Sequence, residues 1–193
     1  MAIIPIYNCF HPILKKKTEP VTEIDAQIKK LVDDMFESMY KADGIGLAAN
    51  QVGVLKSIIT IDTSAAEKEE NPKHPPITLI NPIIEVFSEE ESEYQEGCLS
   101  VPELHEKVIR PESIQVRYFD INGKENVIER GKLLARVIQH EIDHLSGILF
   151  YERLTPIRRT LSKNKLRNIQ KGKIIPAYPM ILPDGTLIAG KSK

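Results

Sequence analysis

Cysteine is scarce in this 193-residue chain: Cys9 and Cys98 are the whole complement. Two thiols in so long a chain do not make a disulfide framework, and a reducing compartment is expected. No apolar run approaches the ~20 residues that would cross a bilayer, so no membrane partner is expected. The opening Met1-Ala2-Ile3-Ile4-Pro5-Ile6 has no basic stretch followed by a long apolar core, so no secretory signal is expected and the location read from the sequence is cytoplasmic. Internal repeats are absent, and no histidine follows His144. What remains is an ordinary globular composition, 41% hydrophobic and 27% charged, in a chain long enough for one sizeable core.

Acidic residues are scarce in one region. Residues 156–193 hold nine Lys or Arg and a single acid, Asp184, for a balance of +8. The whole chain carries −1, which leaves −9 on the other 155 residues. The C-terminal segment is therefore the one part whose charge suits an RNA surface.

Residues 1–21 read as an irregular arm containing Pro5, Pro12 and Pro20. Ile24, Ile28, Leu31, Val32, Met35, Phe36 and Met39 then form one helical stripe, with Thr22 as the expected N-cap. A strand is predicted over residues 57–62 and an exposed loop over 63–76. Short strands follow at 77–80 and 83–88, with Asn81-Pro82 as a kink or bulge between them. Further strands are expected at 105–110, 114–118 and 126–129, with Asn122-Gly123 as a hairpin turn. A second helix carries Leu133, Leu134, Val137, Ile138, Ile142 and Leu145, and a basic helix spans about 158–170 with Leu161, Leu166 and Ile169 apolar. The predicted class is α+β: mostly antiparallel strands around a central helix, with an N-terminal helix and a C-terminal basic helix.

That central helix carries Gln139-His140-Glu141-Ile142-Asp143-His144, with Gly131 before it and Gly147 placed to close it as a left-handed residue. His140 and His144 lie four apart, on one helical face, where two imidazoles can hold one metal ion. Glu141 sits about 100° further around, beside the ion without ligating it, as suits a general base for metal-bound water. Two histidines and two acids would be costly to bury in an apolar helix without a partner, and a metal supplies one. The third ligand must come from upstream, because Phe150 stands where one protease pattern has a third His. Cys98, Glu96, His105, His74, His11 and Cys9 are the candidates. A thiolate suits a divalent transition metal, and Cys with two His leaves a fourth tetrahedral position open.

Three segments, Gly44-Ile45-Gly46-Leu47-Ala48-Ala49-Asn50-Gln51, Glu96-Gly97-Cys98-Leu99-Ser100 and the His140 to His144 run, together resemble the three motifs of peptide deformylases of the bacterial type. The resemblance covers roughly residues 5–155. It implies a catalytic domain over 1–155, followed by a basic helix and proline-containing tail over 156–193. It implies a hydrolase that removes formyl from the initiator methionine of nascent chains and releases formate. Cys98, His140 and His144 would bind one divalent transition metal ion per chain, ferrous iron natively, with zinc, nickel or cobalt as substitutes. Glu141 would handle protons, while Gln51 and the Leu99 N–H would stabilise the oxyanion. Ile45, Gly46, Leu133 and Val137 would border the methionine pocket. The substrate, an N-formylmethionyl nascent peptide, implies the ribosome as a partner, approached through Arg158, Arg159, Lys163, Lys165, Arg167, Lys171 and Lys173. His105 departs from the pattern, standing where some members place Arg. A general metalloprotease is disfavoured by the Cys ligand and by the lack of a downstream one. An inactive ribosome-binding homologue is disfavoured by intact Glu141, Gln51 and ligand residues.

Overall fold

The computed structural model describes residues 2–66 and 74–191. Strand β1 (Ile6–Tyr7) interrupts the N-terminal arm, and a 3-10 turn over Pro12–Lys15 follows, capped by His11, whose Nδ1 accepts the Ile13 N–H at 3.3 Å. Helix α1 (Ala26–Lys41) buries Val32, Met35 and Met39, as its stripe predicts. Its N-cap is Asp25, not Thr22: the Asp25 carboxylate accepts the Ile28 N–H at 2.8 Å. The delay has a visible cause. The Asn81 side chain pairs with both backbone groups of Val21, at 2.8 Å each, and holds the preceding chain extended.

Seven strands follow: β2 (Gly46–Ala48), β3 (Ile58–Ile61), β4 (Ile77–Phe87), β5 (Glu91–Cys98), β6 (Val101–Pro111), β7 (Ser113–Phe119) and β8 (Glu125–Gly131). Five of them form an antiparallel sheet in the order β2-β3-β4-β7-β8. In place of the two strands expected at 77–80 and 83–88 stands the single strand β4, which ends at Phe87. Its register with β7 shifts between Ile80 and Ile83, and Asn81 has φ 52, so the expected kink is a bulge inside one strand. β5 and β6 form a separate antiparallel ribbon. β6 begins at Val101, well before the expected residue 105. The predicted 63–76 loop lies partly outside the described residues, which omit 67–73.

Helix α2 (Lys132–Leu145) packs on the five-stranded sheet. Leu134, Ala135, Val137, Ile138 and Leu145 bury against Ile59, Ile61, Leu79, Ile114 and Val116. Each fully buried aliphatic side chain is worth about 1.5–3 kcal/mol, so this interface fixes where the central helix lies. Gly147 ends the helix at φ 74 as expected; a Cβ there would also stand 2.6 Å from the Lys15 carbonyl oxygen.

Helix α3 (Pro156–Gln170), capped by Thr155, starts two residues before the predicted 158. Leu166 and Ile169 join Val101, Leu104, Val108, Leu149 and Phe150 in a separate cluster. Leu161, read from the sequence as part of the apolar face, is instead 75% exposed. The tail then turns back: β9 (Met180–Ile181) pairs parallel with β1, and β10 (Leu187–Ile188) pairs antiparallel with β9. No helix among the described residues is long and apolar enough to cross a membrane.

Candidate active site

Two elements bring the ligand candidates together. Cys98 ends β5 of the ribbon, while His140 and His144 lie on the buried face of α2. Cys98 Sγ lies 3.2 Å from His144 Nε2, and one donor atom from each of the three residues falls within 4.8 Å of the others. The other candidates stand elsewhere. His11 caps the first 3-10 turn, Cys9 is buried in the α3 cluster, and His74 lies on the loop before β4. Glu96 is nearby but faces the opposite ring nitrogen: its Oε2 accepts the His140 Nδ1–H at 2.9 Å. That bond leaves His140 Nε2 as the donor directed at a metal and fixes the ring's orientation. Glu96 and Cys98 are two apart on one strand and so share a face, a signal that could have assigned this role from the sequence.

Behind His140 lies a buried charge cluster. Arg110 spans Glu96 and Asp143, with Nε 2.7 Å from Glu96 Oε1 and Nη1 2.6 Å from Asp143 Oδ2. Arg136 Nη1 lies 3.2 Å from Glu96 Oε1, and Arg153 reaches Asp143 from the more exposed side. Glu96, Arg110, Arg136 and Asp143 are all buried. Burial alone would raise the Glu96 pKa, but hydrogen bonds and charges from His140 and Arg110 hold it well below the usual carboxylate range.

Glu141 faces the cavity. Burial pushes its carboxyl up to about 7. Its Oε2 is buried without a hydrogen-bond partner among the described residues. Gly46 passes directly over it: a Cβ on Gly46 would stand 2.5 Å from Glu141 Oε1 and 2.8 Å from Val137 Cγ1. Gln51 follows on the 3-10 turn Ala49–Val52. Its Oε1 accepts the Ala48 N–H at 2.8 Å. Its Nε2 therefore points toward Ser100 Oγ, at 3.2 Å, and Cys98 Sγ, at 3.6 Å. The turn after Cys98 leaves the Leu99 N–H without a backbone acceptor among the described residues.

Gln51, Cys98, Leu99, His140 and Glu141 line one cavity of about 410 Å³. Ile45, Gly46, Leu133 and Val137 form part of its wall, and His105 lines it as well. Sequence reasoning missed Arg136 and Tyr178, which also line it. The basic residues of the C-terminal segment do not line it. Arg158 is paired with Glu106 at 3.2 Å and Glu93 at 3.6 Å, and Arg159 donates to the Glu152 carbonyl.

One thiolate and two imidazoles fit a divalent transition metal with an open position, and the fixed His140 tautomer agrees. With an acid alongside and amide donors opposite, the arrangement defines a mononuclear metal-dependent hydrolase. The family described as polypeptide deformylase matches residues 3–160. A peptide deformylase from Salinibacter ruber is 40% identical over 194 residues, covering 98% of this chain and 100% of that protein. One from Thermodesulfovibrio yellowstonii is 47% identical over 167 residues, covering 86% and 98%. Among solved structures, the Ehrlichia chaffeensis peptide deformylase in complex with actinonin superposes with a TM-score of 0.81 at 38% identity, covering 90% of this chain and 99% of that one. The Legionella pneumophila enzyme gives a TM-score of 0.78 at 38% identity, covering 89% and 98%. The chain belongs to the polypeptide deformylase family, hydrolases that remove the N-formyl group from nascent peptides.

Proposed function

We propose that this deformylase acts in the cytoplasm on the formylated initiator methionine of nascent chains, with ferrous iron as its native ion. The observation that carries the reading is the convergence of Cys98, His140 and His144, the first two of which line a cavity that Glu141 and Gln51 also line. Cys98, His140 and His144 would hold a divalent ion, and the chemistry it would supply is Lewis acidity toward water and the formyl carbonyl. Glu141 accepts the proton of the attacking water and later delivers it to the departing nitrogen. Burial raises its carboxyl above the ordinary carboxylate range, in the direction that favours taking up the proton. Gln51 Nε2 and the Leu99 N–H stabilise the negative charge that grows on the formyl oxygen, where loss of one such donor costs about 2.7–4 kcal/mol. Gly46 and Gly44 let the backbone lie close to a group as small as formyl. Leu133, Val137 and Ile45 give the unbranched methionine side chain an apolar wall.

Formate release by anaerobically purified protein, with metal analysis of the same sample, tests this reading. Turnover of formyl-Met peptides, with none on acetylated or free peptides and with iron at one per chain, is expected. Cleavage of internal peptide bonds instead would favour a general protease.

The same proposal includes ribosome docking through the basic segment. Lys163, Lys165 and Arg167 lie on α3 without ion pairs to the described residues, whereas Arg158 and Arg159 are engaged with the body of the protein. Lys171 and Lys173 extend the same charge. A substrate that exists only at the ribosome favours local attachment. Because α3 contributes Leu166 and Ile169 to the core, charge reversal at Lys163, Lys165 and Arg167 is a cleaner test than truncation. Ribosome co-sedimentation should weaken with the reversals and fall steeply with salt. Equal binding by both forms would remove this part.

A further inference from the structure

The family match ends at residue 160, yet the cavity wall does not. Tyr178 lies in the tail between α3 and β9, is buried to 8% exposure, and lines the cavity. Its hydroxyl donates to the Leu99 carbonyl oxygen at 2.6 Å. Leu99 also carries, on the other side of its Cα, the N–H proposed above as an oxyanion donor. The next carbonyl of the same turn, that of Ser100, accepts the Cys9 N–H at 2.8 Å. Ser100 Oγ accepts Gln51 Nε2 at 3.2 Å. Two successive carbonyls of the donor turn are thus pinned by the two ends of the chain, and those ends are bound to each other. Ile6 N–H donates to the Pro179 carbonyl at 3.0 Å, Asn8 N–H donates to that of Ile181 at 2.8 Å, and β1 pairs with β9.

The tail is built around Tyr178. Gly190 crosses its backbone so closely that a Cβ would meet Tyr178 N, C and O at 2.8 Å, and Gly190 has φ 85. Lys191 N–H closes the loop onto the Pro176 carbonyl at 2.8 Å. A phenylalanine would fill the ring's place in the cluster of Met35, Met39, Leu47 and Met180. Only the hydroxyl requires tyrosine, and its partner is Leu99.

We propose that Tyr178 is a positioning residue for deformylation: it holds the Leu99–Ser100 peptide by its carbonyl, and through the Leu99 Cα this steadies the adjoining Cys98–Leu99 peptide, whose N–H meets the oxyanion. The inference rests on the reading of Leu99 as an oxyanion donor. A hydroxyl that orients a transition-state donor affects turnover and leaves ground-state binding alone. A ring that merely lines the cavity would show in KM, and one that merely packs would show in stability.

The test compares wild type and Tyr178→Phe in the full, metal-loaded chain. Formate release by wild type establishes the activity independently. The expected result for the variant is kcat per bound metal reduced about tenfold, below the 10²–10³ of outright donor loss, with KM, metal content and melting temperature near wild type. In zinc-loaded, ¹⁵N-leucine-labelled protein, the Leu99 amide order parameter should fall from about 0.85 toward 0.6, the range from rigid to flexible backbone. Either of two results would overturn the proposal: kcat within twofold of wild type with an unchanged Leu99 order parameter, or a loss confined to melting temperature or KM.

Discussion

Consider Gly46→Ala. The added Cβ would sit 2.5 Å from Glu141 Oε1 and 2.8 Å from Val137 Cγ1. Non-bonded carbon atoms settle near 3.5–4.0 Å, so the carboxylate must retreat by something on the order of 1 Å. Overpacking of this kind costs about 1–3 kcal/mol of stability. The effect on rate should be larger in proportion, because a misplacement of about 1 Å costs on the order of 10²-fold in turnover. The two contacts can be separated. Val137→Ala on the Gly46→Ala background removes the Cγ1 clash and leaves the Oε1 clash, so stability should return in part while turnover stays low. Formate release per bound metal and urea unfolding, measured on both variants, give the two readings. If Gly46→Ala kept kcat/KM within threefold of wild type, or if the double variant recovered turnover along with stability, the account of Gly46 as the residue that makes room for Glu141 would be wrong.

Glu141→Gln should keep its full metal content and lose about 10²–10⁴-fold in turnover, the range for a lost acid–base group; metal loss by this variant would instead make Glu141 a ligand. Ile169→Ala, at a fully buried position of α3, should cost about 2–5 kcal/mol in urea unfolding, whereas an α3 that merely lay on the surface would lose within about 0.5 kcal/mol. Iron-loaded protein should lose activity in air faster than nickel-loaded protein, since a thiolate beside a ferrous ion is exposed to oxygen chemistry. Equal half-lives of the two forms would count against iron as the vulnerable partner.

The ligand helix was legible because its signals agree: a stripe with period 3.6, glycines at both ends, and two histidines four apart. Strands β3, β7 and β8 were legible from an Ile-rich run, from alternation and from Asn122-Gly123, whereas β4 was split at Asn81, β6 was cut short and β5 was not foreseen. The start of α1 was not, because Thr22 and Asp25 are both good caps and the choice was made by Asn81, about sixty residues away. Leu161 misled because a basic helix with three apolar residues does not reveal which of them faces inward. The tail was least legible. β9 and β10 have two residues each, too short for any periodicity, and β9 finds its partner in β1 at the other end of the chain. Tyr178 sits among prolines as a lone aromatic, and nothing local marks it as reaching the cavity.

The cluster of Glu96, Arg110, Arg136 and Asp143 bears on how sequences of this kind can diverge. Removing one member of a buried ion pair leaves an uncompensated charge and costs about 3–5 kcal/mol, whereas replacing the whole group with apolar residues of similar volume can be neutral. With total stability of about 5–15 kcal/mol, a single replacement takes a large share of the margin. The apolar exit is blocked here as well, because Glu96 also orients His140. Point by point there is no shallow path out. The four residues should behave under mutation as one inherited block, exchanged together or not at all, while the exposed partner Arg153 is free to drift.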